Sequence, residues 1–172
     1  MEHVIFAVGD ERIEAALDDA IAHGARAATM MSSLVLAQDH EPNLQERVLA
    51  KIRNSGLWSA APTAWASTIF AAGIWACGFE TRAHARGGNV AYISHSGSGM
   101  CGIVDSEERI DFNLVVSTGQ ELAVSMDEYL DFALDQPTTR AVGLFMETAA
   151  QSAGLARRVR EGTTARAYPS SR

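Results

Sequence analysis

The sequence predicts an α/β chain of two lobes, each built on a parallel sheet. Three observations predict it. Short β-branched apolar runs alternate with stretches whose apolar residues recur at helical spacing, the rhythm of βαβ units with right-handed crossovers. Capping residues open the helical stretches and glycines close them. A run rich in alanine, glycine and tryptophan interrupts this rhythm in mid-chain and ends at Gly87-Gly88. The predicted division is a first lobe over 1–62, a connector over 63–87 and a second lobe over 88–172.

Residues 3–8 read as a buried strand, and Gly9-Asp10 turns the chain with Asp10 as N-cap. Ile13, Ala16, Leu17, Ala20 and Ile21 then fall at i, i+3, i+4, i+7 and i+8, one face of a helix. Gly24 stands where a C-terminal cap belongs, and 25–31 is the next strand. After a loop, Asn43 and Glu46 form a capping box before the stripe Leu44, Val48, Leu49 and Ile52. Gly56 closes that helix, 57–60 is a third strand, and Pro62 stops it. The connector has no clean period, and Trp65 and Trp75 are expected to wedge between the lobes. Beyond it, strands are expected at 90–93, 112–116 and 141–146, with helices at 100–108 and 149–160. A further helix carries Met126, Tyr129, Leu130, Ala133 and Leu134 behind a Ser125–Glu128 capping box, and the tail from Gly162 is polar.

Composition excludes several classes of function. The 172 residues hold 14 Lys+Arg against 21 Asp+Glu, a net charge of −7. That balance argues against a nucleic-acid binder, which needs a basic face, and against a polybasic membrane docker. With 47% hydrophobic and 20% charged residues the chain can bury a core. Cys77 and Cys101 form no CxxC pair and read as reduced thiols, which points to the cytoplasm. No basic segment follows Met1 as in a signal peptide, and the apolar stretch 65–79 is too short to span a membrane.

In parallel sheets, ligands bind at the carboxyl ends of the strands. Ser94-His95-Ser96-Gly97-Ser98-Gly99 lies between a predicted strand and helix. Its glycines permit close backbone approach, and the helix start offers N–H groups and a dipole that favour an anion such as phosphate. A tight small-residue turn with nothing bound is the competing reading. Ser117-Thr118-Gly119-Gln120-Glu121 is a second strand-end turn, whose Glu121 either meets a cation, caps a helix or belongs to a plain loop. Glu147 ends a third strand and is placed to orient an imidazole or to cap the next helix. Ser32, Ser33, Pro62 and Thr63 are the corresponding strand ends of the first lobe, which has no GxGxxG turn. His95 has no acidic neighbour in sequence, so it reads as a structural or ligand-contact residue rather than a nucleophile. The histidines show no HxxxH or HExxH spacing, and no metal site is expected.

Four segments together carry a resemblance. They are Gly88-Asn-Val-Ala-Tyr-Ile-Ser-His-Ser-Gly97, Asn113-Leu-Val-Val-Ser-Thr-Gly-Gln-Glu121, Tyr129-Leu-Asp-Phe-Ala-Leu-Asp-Gln-Pro-Thr-Thr139 and Gly143-Leu-Phe-Met-Glu147. In order and spacing the chain resembles the NDP-forming acyl-CoA synthetases, relatives of the succinyl-CoA ligase alpha subunit and of ADP-forming acetate–CoA ligase. The resemblance implies two three-layer lobes: a partial Rossmann-like CoA-binding domain, then a partial flavodoxin-like ligase domain. It implies ligation of an acid to CoA at the expense of a nucleoside triphosphate, through an acyl phosphate and a phosphohistidine.

By that resemblance Ser96, Gly97, Ser98 and Gly99 hold the phosphoryl group, and Glu147 orients the phosphohistidine. Cys101 falls at a substrate contact, and Met31, Ser32, Ser33, Pro62 and Thr63 at CoA contacts. The family's Pro-Asn-Cys contact reads Pro62-Thr63-Ala64 here, and its catalytic histidine loop, glycine-rich start and ATP-grasp domain have no counterpart in the 172 residues. The expectation is therefore an alpha-like fragment or subunit. It would use ATP/ADP or GTP/GDP with Mg only through a missing domain or partner. It would self-associate or pair with an ATP-grasp, beta-type chain that covers its apolar edges. The alternative is a non-catalytic CoA- or anion-binding module with a regulatory or assembly role.

Overall fold

A computed structural model describes residues 2–60, 66–69, 74–77, 88–106, 109–121, 123–147 and 157. Among these described residues the elements follow in the order β1 (His3–Phe6), α1 (Asp10–Ala22), β2 (Ala27–Met30), α2 (Leu44–Ser55), β3 (Trp58–Ala60), β4 (Ala66–Ile69), β5 (Ile74–Cys77), β6 (Val90–Ser94), α3 (Gly97–Ser106), β7 (Phe112–Ser117), α4 (Met126–Asp135) and β8 (Ala141–Phe145).

In the first lobe β1, β2 and β3 pair in parallel in that order. Helices α1 and α2 lie on one face of this sheet, because Ile13, Leu17, Leu44, Val48 and Ile52 share one buried cluster with Phe6, Ala28 and Met30. Burial of such side chains contributes about 1.5–3 kcal/mol each. Across the helix pair, Arg47 Nε reaches Glu14 Oε2 at 2.9 Å and Lys51 Nζ reaches Asp18 Oδ1 at 2.7 Å. The other face of the sheet presents Ile5, 46% exposed, and Trp58, 69% exposed. A second helical layer over that face is not among the described residues.

The second lobe holds a five-stranded sheet in the order β5-β4-β7-β6-β8. Its three predicted strands, β6, β7 and β8, are parallel. β4 and β5, from within the stretch 63–87, add an antiparallel pair along β7, with Ser67 opposite Val116 and Ile69 opposite Leu114. At four residues each, these strands are too short to show a readable alternation. α3 and α4 cover opposite faces of the sheet. Tyr92, Phe112 and Val115 pack with Met100 and Val104 of α3. Ala91, Ile93, Leu114 and Val116 pack with Met126, Leu130 and Ala133 of α4.

Local chemistry explains where two helix starts differ from expectation. Gly9, extended at φ −66°, is the N-cap of α1 in place of Asp10. Asp10 is the first helical residue because its carboxylate is drawn across to the loop after β2, accepting from Leu34 N at 2.9 Å and Ser33 Oγ at 2.7 Å. α3 begins at Gly97, three residues before the expected start, because Ser96 caps it (below). The Asn43–Glu46 capping box of α2 forms as expected, and Gly56 ends that helix in the left-handed region at φ +68°. The lobes meet where Gln45 of α2 donates to Gln120 Oε1 at 2.6 Å and Ala123 packs on the first core. A cavity of about 360 Å³ lies there between Leu49, Ile52, Arg53, Trp58, Ala123 and Val124.

Candidate anion site at the strand ends

β6, β7 and β8 end level: Ser94 is in register with Ser117 on one side and Phe145 on the other. Each ladder continues one step further, with Thr118 N–H donating to Ser94 O at 2.8 Å and His95 N–H to Phe145 O at 3.0 Å. Three loops therefore leave the sheet side by side.

Serine hydroxyls shape the first loop. Ser94 Oγ donates to Ser96 O at 2.7 Å and accepts from Ser96 N–H at 3.1 Å, folding the chain back on itself. Ser96 Oγ accepts from Gly99 N–H at 3.1 Å, and Ser96 O accepts from Met100 N–H at 3.1 Å, so Ser96 performs the capping role for α3. The hydroxyls of Ser96 and Ser98 are 3.2 Å apart. Among the described residues, the N–H groups of Gly97 and Ser98 have no partner. The expected cradle is thus narrower than four residues of free donors, because the Ser96 hydroxyl already takes the Gly99 amide. Ser117 lies two residues beyond Val115, on the α3 side of the sheet, and its fully buried hydroxyl has no partner among the described residues.

The His95 ring spans the other two loops. Glu147 N–H donates to His95 Nδ1 at 3.1 Å. A backbone N–H can only donate, so Nδ1 is an acceptor and the ring proton sits on Nε2. Nε2–H in turn donates to Glu121 Oε1 at 2.8 Å, with the side chains 10% and 17% exposed. The same Glu121 oxygen accepts from Met126 N–H at 3.1 Å and Thr118 Oγ1 at 3.4 Å, which also satisfies the start of α4. To reach these partners Glu121 adopts φ +51°, and Gly119 turns the loop at φ +60°.

The absence of an acidic neighbour in sequence is therefore corrected by the fold: Glu121, 26 residues on, supplies the carboxylate for His95. Glu147 meets the His95 ring through its backbone amide, while its carboxylate, the group that the sequence offered to orient an imidazole, is exposed. Neither partnership has a sequence signal beyond the small-residue turns themselves. Next to the site, burial first, then the carboxylates of Glu128 and Glu121, push the Tyr129 phenol up to about 12. Cys101 of α3 is partly buried against the Tyr92–Met100–Phe112 cluster.

In the first lobe, Met31, Ser32 and Ser33 follow β2 at its carboxyl end. Met31 N–H donates to Phe6 O at 3.0 Å, and the Ser33 hydroxyl is given to Asp10. The Ser32 hydroxyl is buried without a partner among the described residues. Pro62, Thr63, Trp65 and the expected helix 149–160 lie outside the described residues, save Arg157. Among the described residues no group of three or more His, Cys, Asp or Glu side chains is placed to hold a metal, and no helix is long and apolar enough to cross a membrane.

Residues 87–167 match the family described as succinyl-CoA ligase like flavodoxin domain. No curated protein matches the chain. Among solved structures, PH0766 from Pyrococcus horikoshii OT3 is similar with a TM-score of 0.80 at 19% identity, over 95% of this chain and 38% of its own. The dinucleotide forming acetyl-coenzyme A synthetase 1 of Candidatus Korarchaeum cryptofilum, in complex with phosphate and ADP, gives 0.78 at 20% identity, over 96% and 35%. ATP citrate lyase from Methanothrix soehngenii, in complex with citrate and coenzyme A, gives 0.62 at 14% identity, over 83% and 24%. At these identities the likeness is one of fold, and the chain spans little more than a third of the first two structures' length. Residues 87–167 thus match the succinyl-CoA ligase like flavodoxin domain model, and the chain as a whole shares its fold with the two archaeal structures first named.

Proposed function

We propose that the chain contributes phosphoryl and CoA sites to the ligation of an acid with CoA, driven by a nucleoside triphosphate, as a fragment or subunit of an NDP-forming acyl-CoA synthetase. The observation that carries this reading is the start of α3, where the Gly97 and Ser98 amides have no partner among the described residues and stand beside the Ser98 hydroxyl. Such amides, backed by the helix dipole, favour a phosphoryl oxygen. Ser96 holds the loop's shape and Gly99 completes the turn. Phosphate and ADP in the Korarchaeum structure, and coenzyme A in the Methanothrix structure, support this ligand chemistry.

The phosphohistidine comes from outside these 172 residues, and Glu147 orients it when it docks at the strand ends. The nucleotide, ATP/ADP or GTP/GDP with Mg, reaches the site through an ATP-grasp domain or partner chain. CoA lies along Met31, Ser32, Ser33, Pro62 and Thr63, where the unpartnered Ser32 hydroxyl provides a hydrogen-bonding group. Cys101 lies toward the acyl substrate, and the assembly is an oligomer working in the cytoplasm.

Calorimetry with inorganic phosphate and with CoA, each added to the chain alone, tests the reading. Phosphate should bind, and Ser98→Ala should weaken it about tenfold or more, the loss of a hydrogen bond to a charged group worth about 1.5–3 kcal/mol. Glu147→Gln should leave phosphate binding unchanged, since its partner is the phosphohistidine. No heat with either ligand would overturn the proposal.

A further inference from the structure

We propose that His95 is a positioning residue for the phosphoryl cradle: one neutral imidazole ties together the ends of β6, β7 and β8, and charging it slackens the anion site. The inference rests on the phosphoryl reading of the α3 start and names a control on that same site.

The geometry points to it because His95 immediately precedes the loop that opens α3. Its backbone N–H is held by Phe145 O at 3.0 Å, and its ring is held at both nitrogens. The two ring bonds are of opposite kind. Nδ1 accepts from the Glu147 amide, and Nε2–H donates to Glu121. Only the neutral Nε2–H form makes both. A second proton puts N–H on Nδ1, where it faces the Glu147 N–H, donor against donor. The contact with Glu121 then becomes an ion pair, while Glu147, just beyond β8, loses its bond to the ring.

The charged groups at the ring are the Glu121 carboxylate from the loop after β7 and the exposed Glu147 residue at the end of β8. The first turn of α3 offers the uncharged Gly97 and Ser98. The neutral ring satisfies both bonds, whereas the doubly protonated ring keeps the one to Glu121 and breaks the one to Glu147, which gives the strap a pH response.

Glutamine at position 95 separates positioning from mere packing. Its carbonyl can accept and its amide can donate, as the neutral imidazole does, but it does not titrate. The experiment uses the 172-residue chain with inorganic sulfate, an anion whose charge does not change in mild acid. NMR of the ring nitrogens and the Glu147 amide is recorded in parallel with sulfate affinity.

The wild type should show the Nε2–H tautomer at neutral pH. Acidification should shift the Glu147 amide and weaken sulfate several-fold. His95→Gln should bind as the wild type does at neutral pH and lose the pH response. His95→Ala, confirmed folded by circular dichroism, should bind several-fold more weakly at both pH values. An Nδ1–H ring, an alanine variant that binds like the wild type, or a glutamine variant with the wild-type pH response would overturn the inference while leaving the phosphoryl reading standing. Failure of every form to bind sulfate, with tautomer and amide shift as expected, would overturn the phosphoryl reading and leave only the strap.

Discussion

Gly143 lies in β8 directly opposite Tyr92 of β6. A methyl group built on it would stand 2.9 Å from Tyr92 Cδ2 and 3.4 Å from Cε2. Carbon pairs prefer about 3.5–4.0 Å, so something must move. The ring has little room, since Tyr92 is 7% exposed and Phe112 packs against it, tilted by 52° at a centroid distance of 6.3 Å. Gly143→Ala should therefore cost about 1–3 kcal/mol, the usual penalty for overpacking a tight core. At about 2–4 °C per kcal/mol for a chain of this size, the Tm should fall by about 2–12 °C. Thermal and urea unfolding followed by circular dichroism would measure it.

The decisive comparison repeats the substitution in a Tyr92→Val background, where no atom beyond Cγ remains to meet the methyl. There Gly143→Ala should cost about 0.5 kcal/mol, leaving a coupling of about 0.5–2.5 kcal/mol between the sites. Equal costs in the two backgrounds would refute the argument that the ring excludes the methyl. Glu147 follows the same strand by two residues, so the single variant should also disturb the His95 tie.

The helix caps and titrating groups make three further predictions. Asn43→Ala removes the acceptor for Glu46 N–H at 3.0 Å and should destabilise the first lobe by about 1 kcal/mol in urea unfolding. The Leu44 amide, then the Arg47 guanidinium, hold the Asp39 carboxyl down at about 2 against 3.8. This lowered value makes its contribution present above pH 3.8 and lost as pH falls through about 2; the group lies at the surface, so the stability change is small. An NMR titration should show the Leu44 amide following that step, and Asp39→Asn should abolish it. Burial raises the Tyr129 phenol to about 12, so its contribution is intact below pH 10 and lost as pH rises through about 12. Ultraviolet titration of tyrosinate should show the late step, and Tyr129→Phe should remove it along with part of the alkaline loss of stability.

Local patterns were readable wherever their physical causes lie within a few residues. The stripe Ile13–Leu17–Ala20, the Asn43–Glu46 box and the left-handed Gly56 each involve neighbours on one turn of chain, and all appear where the sequence places them. The three parallel strands of each lobe were legible from their apolar runs. The start of α3 was not, because glycine and serine are poor helix formers and conceal a turn capped by Ser96. The edge strands β4 and β5 were not either, since four-residue strands gain their definition from pairing with β7.

The candidate site divides along the same line. By itself the sequence determined which loops are small enough to admit a ligand: Ser94 to Gly99, Ser117 to Glu121 and the approach to Glu147. It also placed them at the carboxyl ends of the expected strands. Only the tertiary structure decided what those loops do to one another. Register between β6, β7 and β8 sets His95 between a carboxylate 26 residues away and an amide 52 residues away, and no local spacing encodes either distance. A hydrogen bond forms over about 3 Å, so a partnership of that reach exists only once the sheet has aligned the strand ends.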